Sequence, residues 1–413
     1  MQATRPPAQF EESLAASALL FFSFEWIIWV LLPIPFSWVP NLRILVDAGI
    51  FCTTLMLLAR GRGYRGLRKG RILSCLLVIT GCALIPVIRF HSDLFLSLQS
   101  IFVIIRYLPL ALLDYSRFGD RFRRTGKAVL AIHIAIGLTQ LTGVFDSSAL
   151  FQRAFSGFDE LGRVGLPTAM REDRLGIGIS GIFLNTIDLA ILVVLLYFFL
   201  YWGREIRRKW IASLTSLIVV AGTRSISATT FLSILILIDI RARGRRRLAI
   251  SAVFIAIAAR AFLKFDGLVF ALSNSLEYNR GGFILNLLPQ FIADKPLNAL
   301  IGLGSDHLIA FNQVVNYANF PQMLIDEGSL ANLRDVFWVA LIVQWGLVGF
   351  GALLMLLRET IAKVESRRMV SLLVLTAAWG VVNQVLEIKI YALLFYILIG
   401  IYRQRKFDAY GQT

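Results

Sequence analysis

Long apolar runs alternate with short charged ones along the whole chain, and the run length is that of membrane-crossing helices rather than of strands. A helix that satisfies its own backbone in lipid needs about 20 mostly apolar residues. Runs close to that length extend roughly from Leu14 to Leu32, Asn41 to Ala59, Ile72 to Phe90, Leu94 to Leu113, Ala128 to Phe145, Ile182 to Trp202 and Trp210 to Gly222. Others extend roughly from Ser225 to Ile240, Leu248 to Leu263, Asp335 to Leu357, Met369 to Val385 and Ile388 to Tyr402. The pattern predicts an all-α, polytopic integral membrane protein with about 12 transmembrane helices.

Composition points the same way, because 57% of the 413 residues are hydrophobic and too few polar residues remain to cover a water-facing globule. Only 16% are charged, yet the formal net charge is +16, so basic residues are unevenly placed. Six clusters hold most of them: Arg60 to Arg71, Arg117 to Lys127, Arg204 to Lys209, Arg241 to Arg247, Arg358 to Arg368 and Arg403 to Lys406. Each falls in every second connection. Together with Arg5 they account for 28 of the 42 Lys and Arg residues, and the positive-inside rule then puts both termini in the cytoplasm.

Three regions follow. Residues 1–263 carry the first nine helices with an outward-facing loop at 146–174, residues 264–334 form a large outward-facing loop, and residues 335–413 carry the last three helices and a cytoplasmic tail. The large loop holds Pro289, Pro296, Pro321 and a Gly302-x-Gly304 turn among short amphipathic pieces, and it reads as a small cap lying on the membrane. The polar start, Met1 to Glu12, does not resemble a cleaved signal peptide. Cys52, Cys75 and Cys82 sit in apolar runs, and His91, His133 and His307 are scattered, so neither a disulfide framework nor a metal site is expected.

Fourteen basic residues remain outside the clusters, mostly arginines on the expected outer side or within spans, among them Arg43, Arg89, Arg106, Arg171, Arg174, Arg224, Arg260, Arg280 and Arg334. Placing a guanidinium in or beside hydrocarbon costs several kcal/mol unless it is paired or faces a wet cavity. Its planar fork binds phosphate oxygens bidentately and keeps its proton, which suits a fixed clamp on a pyrophosphate. For Arg43, Arg106 and Arg260 the plainer reading is favoured, namely snorkelling or pairing with acids such as Glu25, Asp47, Asp93 or Asp188. Arg224 is favoured for function, since Gly222-Thr-Arg-Ser-Ile-Ser sits at a turn between two short helices where a helix start also attracts anions. Asp306, Asp326, Glu327 and Asp335 supply carboxylates in or at the end of the large loop, where a lone acid is ordinarily just solvated.

Four stretches, in order, resemble the Wzy-type O-antigen polymerase and O-antigen ligase superfamily of bacterial envelope glycosyltransferases. They are Arg174-Leu-Gly with Gly181-Ile-Phe-Leu-Asn185, then Thr223-Arg-Ser-Ile-Ser-Ala-Thr-Thr-Phe-Leu232. Next come Arg280-Gly-Gly-Phe with Pro296-Leu-Asn-Ala-Leu-Ile-Gly-Leu-Gly304, and finally Asp335-Val-Phe-Trp-Val with Gly346-Leu-Val-Gly349. The likeness covers roughly Arg171 to Leu357. Asp335-Val336 stands where the ligase branch has His-Asn, and Ala299 stands at a usual glycine position; the first departure shifts the reading from ligase toward polymerase.

The resemblance implies a GT-C-like glycosyltransferase of the bacterial inner membrane that polymerises lipid-linked repeat units on the periplasmic side. It would transfer a glycan from undecaprenyl pyrophosphate to a sugar hydroxyl of an acceptor repeat, inverting and without a metal or other cofactor. Arg224, Arg280 and Arg174 match the family's arginines and would bind the pyrophosphate, with Arg334 and Arg171 beside them. Asp335 matches the base position, with Glu327 as substitute. The expected partners are the undecaprenyl-pyrophosphate-linked donor and acceptor, membrane lipid and the kind of chain-length regulator protein such an enzyme works with, but no nucleic acid. The rivals are a ligase acting on a lipid core, a polysaccharide flippase or other transporter, and a scaffold of an envelope-synthesis complex; the lack of an internal repeat counts against a transporter.

Overall fold

The computed structural model describes residues 9–32, 38–64, 66–91, 93–115, 120–145, 179–183, 186–204, 209–223, 225–241, 288–304, 336–361, 366–381 and 385–403. These residues are all-helical, without a β-strand among them. Every apolar run except Leu248 to Leu263, which lies outside the described residues, coincides with helix. Among the described residues five helical stretches are long and apolar enough to cross a membrane: Phe10–Leu31, Asn41–Arg62, Lys69–Arg89, Leu94–Leu112 and Phe337–Ile361. The other apolar helices are shorter, such as Thr186–Leu200 and Lys389–Tyr402.

The chain divides into two compact units. The first comprises residues 1–57, 113–268 and 389–413. It contains α1 (Gln9–Leu31), α2 (Val39–Leu57), α6 (Arg121–Leu141), α7 (Thr186–Leu200), α8 (Lys209–Gly222), α9 (Ile226–Arg241) and α14 (Lys389–Tyr402). The second comprises residues 58–112 and 269–388. It contains α3 (Lys69–Phe90), α4 (Leu94–Ile105), α5 (Leu108–Leu112), α10 (Leu288–Asp294), α11 (Pro296–Ile301), α12 (Phe337–Ile361) and α13 (Arg367–Trp379).

In the first unit, α7 and α14 are apolar on every side and are correspondingly central. From Leu189 to Leu200 and from Ile390 to Tyr402 every residue is buried. α7 packs against α6, α8, α9 and α14, and α1 packs against α6 and α14. The ends of this unit differ in chemistry. At one end Glu12 accepts the Phe122 N–H at 2.9 Å, Arg121 donates to Ser13 Oγ at 2.7 Å, and Arg403 donates to the Leu113 carbonyl at 3.2 Å. Lys209 pairs with Asp239 at that end, where Asp239 also accepts the Gly203 N–H at 3.2 Å. Burial there pushes the Tyr115 phenol above its usual range, although the Arg403 charge opposes the shift.

The second unit is built on α3 against α12. Its helices are interrupted twice. The single run expected from Leu94 to Leu113 is split by a turn at Arg106 and Tyr107, because Pro109 has no N–H to give the Ile105 carbonyl. Arg106 is buried at the split and donates to the Glu387 carbonyl at 2.8 Å. The second interruption lies within α12, where Gly346 takes φ 71° and ψ 175°. Asp93 starts α4 by accepting the Phe95 and Leu96 N–H groups at 2.6 and 3.1 Å. On α3 the large side chains Leu73, Leu77, Val78 and Ile88 are exposed, as a lipid-facing helix surface would be.

Candidate functional site

None of the residues singled out from sequence for catalysis or pyrophosphate binding falls within the described residues: Asp335, Glu327, Arg224, Arg280, Arg174, Arg334 and Arg171 all lie outside them. The elements on which those residues border are described, and two pairings among them are informative.

The first pairing joins the stretch around Gly181 to the α8–α9 turn. Ile179 donates its N–H to the Gly222 carbonyl at 3.0 Å, and Gln140 of α6 exchanges two bonds with Gly181, accepting its N–H at 2.7 Å and donating to its carbonyl at 3.0 Å. Gly181 takes φ 64°, a conformation that favours glycine. On either side of Arg224 the turn is self-bonded. Thr223 Oγ1 donates to the Val220 carbonyl at 2.6 Å and accepts the Ser225 N–H at 3.3 Å, and Ser225 Oγ accepts the Ala228 N–H at 3.4 Å. Ser225 thus caps α9, which agrees with a helix start at this motif.

The second pairing joins the Pro296-to-Gly304 stretch to the middle of α12. Leu303 and Gly304 donate their N–H groups to the Val343 and Gln344 carbonyls at 2.8 and 2.9 Å. Those carbonyls lose their helical partners at the Gly346 break, so the incoming strand of backbone satisfies them. The approach is close enough to demand glycine on both sides. A Cβ on Gly302 would lie 2.5 Å from the Gln344 carbonyl oxygen, and one on Gly346 would lie 2.3 Å from the Leu300 oxygen.

A charged constellation that the sequence reading did not assemble occupies the other end of the first unit, away from Lys209 and Arg403. Arg43 of α2 holds Glu25 of α1 bidentately, with Nε at 2.6 Å from Oε1 and Nη2 at 3.0 Å from Oε2. Its guanidinium lies over the Trp26 ring at 4.5 Å, and Trp29 Nε1 donates to Glu25 Oε1 at 3.3 Å. Lys389, at the start of α14, sits 3.0 Å from Asp47 Oδ2 and 4.0 Å from Glu25 Oε1. Asp188 near the start of α7 feels both Arg43 and Glu25. Glu25 and Asp47 are buried, so the network draws ionised groups in among apolar helices. Nearby, His133 stacks on Phe183 at 5.1 Å and places Nε2 3.1 Å from the Ser23 carbonyl.

The pairing of Arg43 with Glu25 is the plainer role expected for that arginine. Lys389 is not among the basic residues singled out from sequence, which are arginines, although its position at the start of an apolar run was a usable signal. Among the described residues no three His, Cys, Asp or Glu side chains converge so as to hold a metal ion. No protein-family model matches the sequence, and no curated protein matches it.

Proposed function

We propose that the protein is a polymerase of lipid-linked polysaccharide repeat units, built on about twelve membrane spans with its reaction at the periplasmic face of a bacterial inner membrane. The observation that supports this reading is that described backbone beside the first family-like stretch bonds backbone beside the second, and backbone of the third bonds backbone beside the fourth. Ile179, two residues before Gly181, bonds Gly222, the residue preceding the second stretch, and Leu303 and Gly304 of the third bond Val343 and Gln344, just before Gly346 of the fourth. Apolar helices imitate one another in sequence, but chance likenesses have no reason to pair in space.

In this reading an acceptor hydroxyl attacks the anomeric carbon of the donor glycan. The bond from that carbon to the pyrophosphate oxygen breaks, and the hydroxyl proton passes to a carboxylate, Asp335 or Glu327. The diphosphate leaves with its negative charge, and Arg224, Arg280 and Arg174 are the groups assigned to stabilise it, with Arg334 and Arg171 nearby in sequence. Arginine suits that work because its charge is permanent. Single Arg224→Ala and Arg280→Ala variants, expressed at native level, should lose polymerisation by on the order of 100-fold or more and accumulate single lipid-linked repeats on the periplasmic face. Full-length polymer from either variant at the parent's rate sinks the assignment.

One observation favours a second reading, that of a polysaccharide flippase. The ion-pair network among α1, α2, α7 and α14 is the kind of intramembrane charge that transporters use to bind or couple ions. A deletion strain separates the two, since loss of a flippase leaves the repeats on the cytoplasmic face. Long polymer stranded on its lipid carrier would instead mark a ligase.

A further inference from the structure

The sequence pattern lays the whole large loop on the membrane surface, but the bonding of residues 302–304 is that of a segment inside the apolar layer. α12 is a membrane-length helix, and Gly346 lies nine positions after Phe337, about 13 Å along the axis at helical rise. Gly302, Leu303 and Gly304 are bonded to the chain at that level. The distribution of side chains is inverted relative to a water-facing element. Asn298 and Ala299 are buried, whereas Leu297 and Leu300 are 57% and 46% exposed, and Ile292 is exposed as well. A six-residue helix resting in water would turn its asparagine out and its leucines in. Here the amide is inside, with Oδ1 bonded to nothing among the described residues, and the leucines are outside.

The backbone obeys the corresponding constraint. Non-helical backbone is tolerated at hydrocarbon depth only where protein satisfies its polar groups. The N–H groups of Gly302, Leu303 and Gly304 go to Asn298, Val343 and Gln344, which leaves none of the three facing lipid unsatisfied. Asp294, the last residue of α10, and Lys295, which separates it from α11, are both exposed and mark where the segment meets the polar boundary.

We propose that α11 and the Gly302–Gly304 segment form a re-entrant element whose outer side, carrying Leu297 and Leu300, is covered by the hydrocarbon chains of membrane lipid. This does not depend on the glycosyltransferase reading and would hold equally for a transporter. The test uses full-length protein in intact membranes, with Cys52, Cys75 and Cys82 replaced by alanine and a single cysteine introduced as Asp294→Cys, Leu297→Cys or Leu300→Cys. A membrane-impermeant sulfonated maleimide should label the Asp294→Cys protein readily and the other two at least about tenfold more slowly, with full labelling of all three after denaturation in SDS. Equal rates at the three positions, fast or slow, overturn the proposal. An independent check uses Leu300→Arg and Leu300→Gln, which should lower the folded yield in that order, the arginine by several-fold. Unchanged yield for both is the result expected of a water-facing cap, and it too overturns the element's placement.

Discussion

The two units admit polarity into apolar surroundings by different routes. In the first, α1, α2, α7 and α14 stay regular and the polar groups are side chains, with Arg43 and Lys389 matched to Glu25 and Asp47. In the second, the backbone itself opens at Arg106–Tyr107 and at Gly346, and the carbonyls freed at Gly346 are met by other backbone. The difference teaches what each region tolerates. A side-chain network can be traded for apolar packing if both partners go together, since replacing a buried pair by hydrophobes is often neutral. A backbone crossing that relies on two glycines has no such exchange, because any Cβ occupies the space of the opposing chain.

The largest effect is therefore expected at the crossing. Gly346→Ala or Gly302→Ala should cost more than about 3 kcal/mol, seen as loss of monodisperse protein on size-exclusion in detergent. A variant that elutes and melts like the parent would show that the crossing is not required. Next comes the network, where Glu25→Leu leaves Arg43 and Lys389 with a carboxylate missing and should cost about 2–4 kcal/mol by thermal unfolding, tempered by the 26% exposure of the Arg43 side chain. The Glu25→Leu, Arg43→Leu double variant should recover at least about 1 kcal/mol of that loss, and strict additivity would deny the coupling. The smallest effect belongs to Arg71 and Glu359, 3.1 Å apart in the second unit, because Arg71 is 60% exposed; Arg71→Ala should change stability by less than about 0.5 kcal/mol.

The helices were legible because an apolar run of spanning length has few other uses, but their ends were not. α6 begins at Arg121 within what hydropathy assigns to a basic connection, since a charged first turn carries no apolar signal and its cap comes from Glu12 on another helix. The split at Arg106 was announced by Pro109. Gly346 gave no such warning, because glycine is common in membrane helices and only Gly302, 44 positions earlier in the chain, gives its positive φ a reason. The charged network was half visible. Glu25, Asp47 and Asp188 were recognised as partners for arginine, while the meeting of Glu25 and Asp47 around Lys389 depends on which helices are neighbours, and spacing along the chain does not encode that. The arginines and acids on which the proposed chemistry rests lie outside the described residues, so their roles remain motif-based.

The placement of α14 has a consequence for assembly. It is synthesised after every other described helix, yet it lies at the centre of the first unit and brings Lys389 to Asp47. Glu25 meets Arg43 as soon as the first hairpin forms, whereas the pair of Lys389 with Asp47 forms only after some 340 further residues are translated. The core of the first unit therefore closes only once α14 has been made.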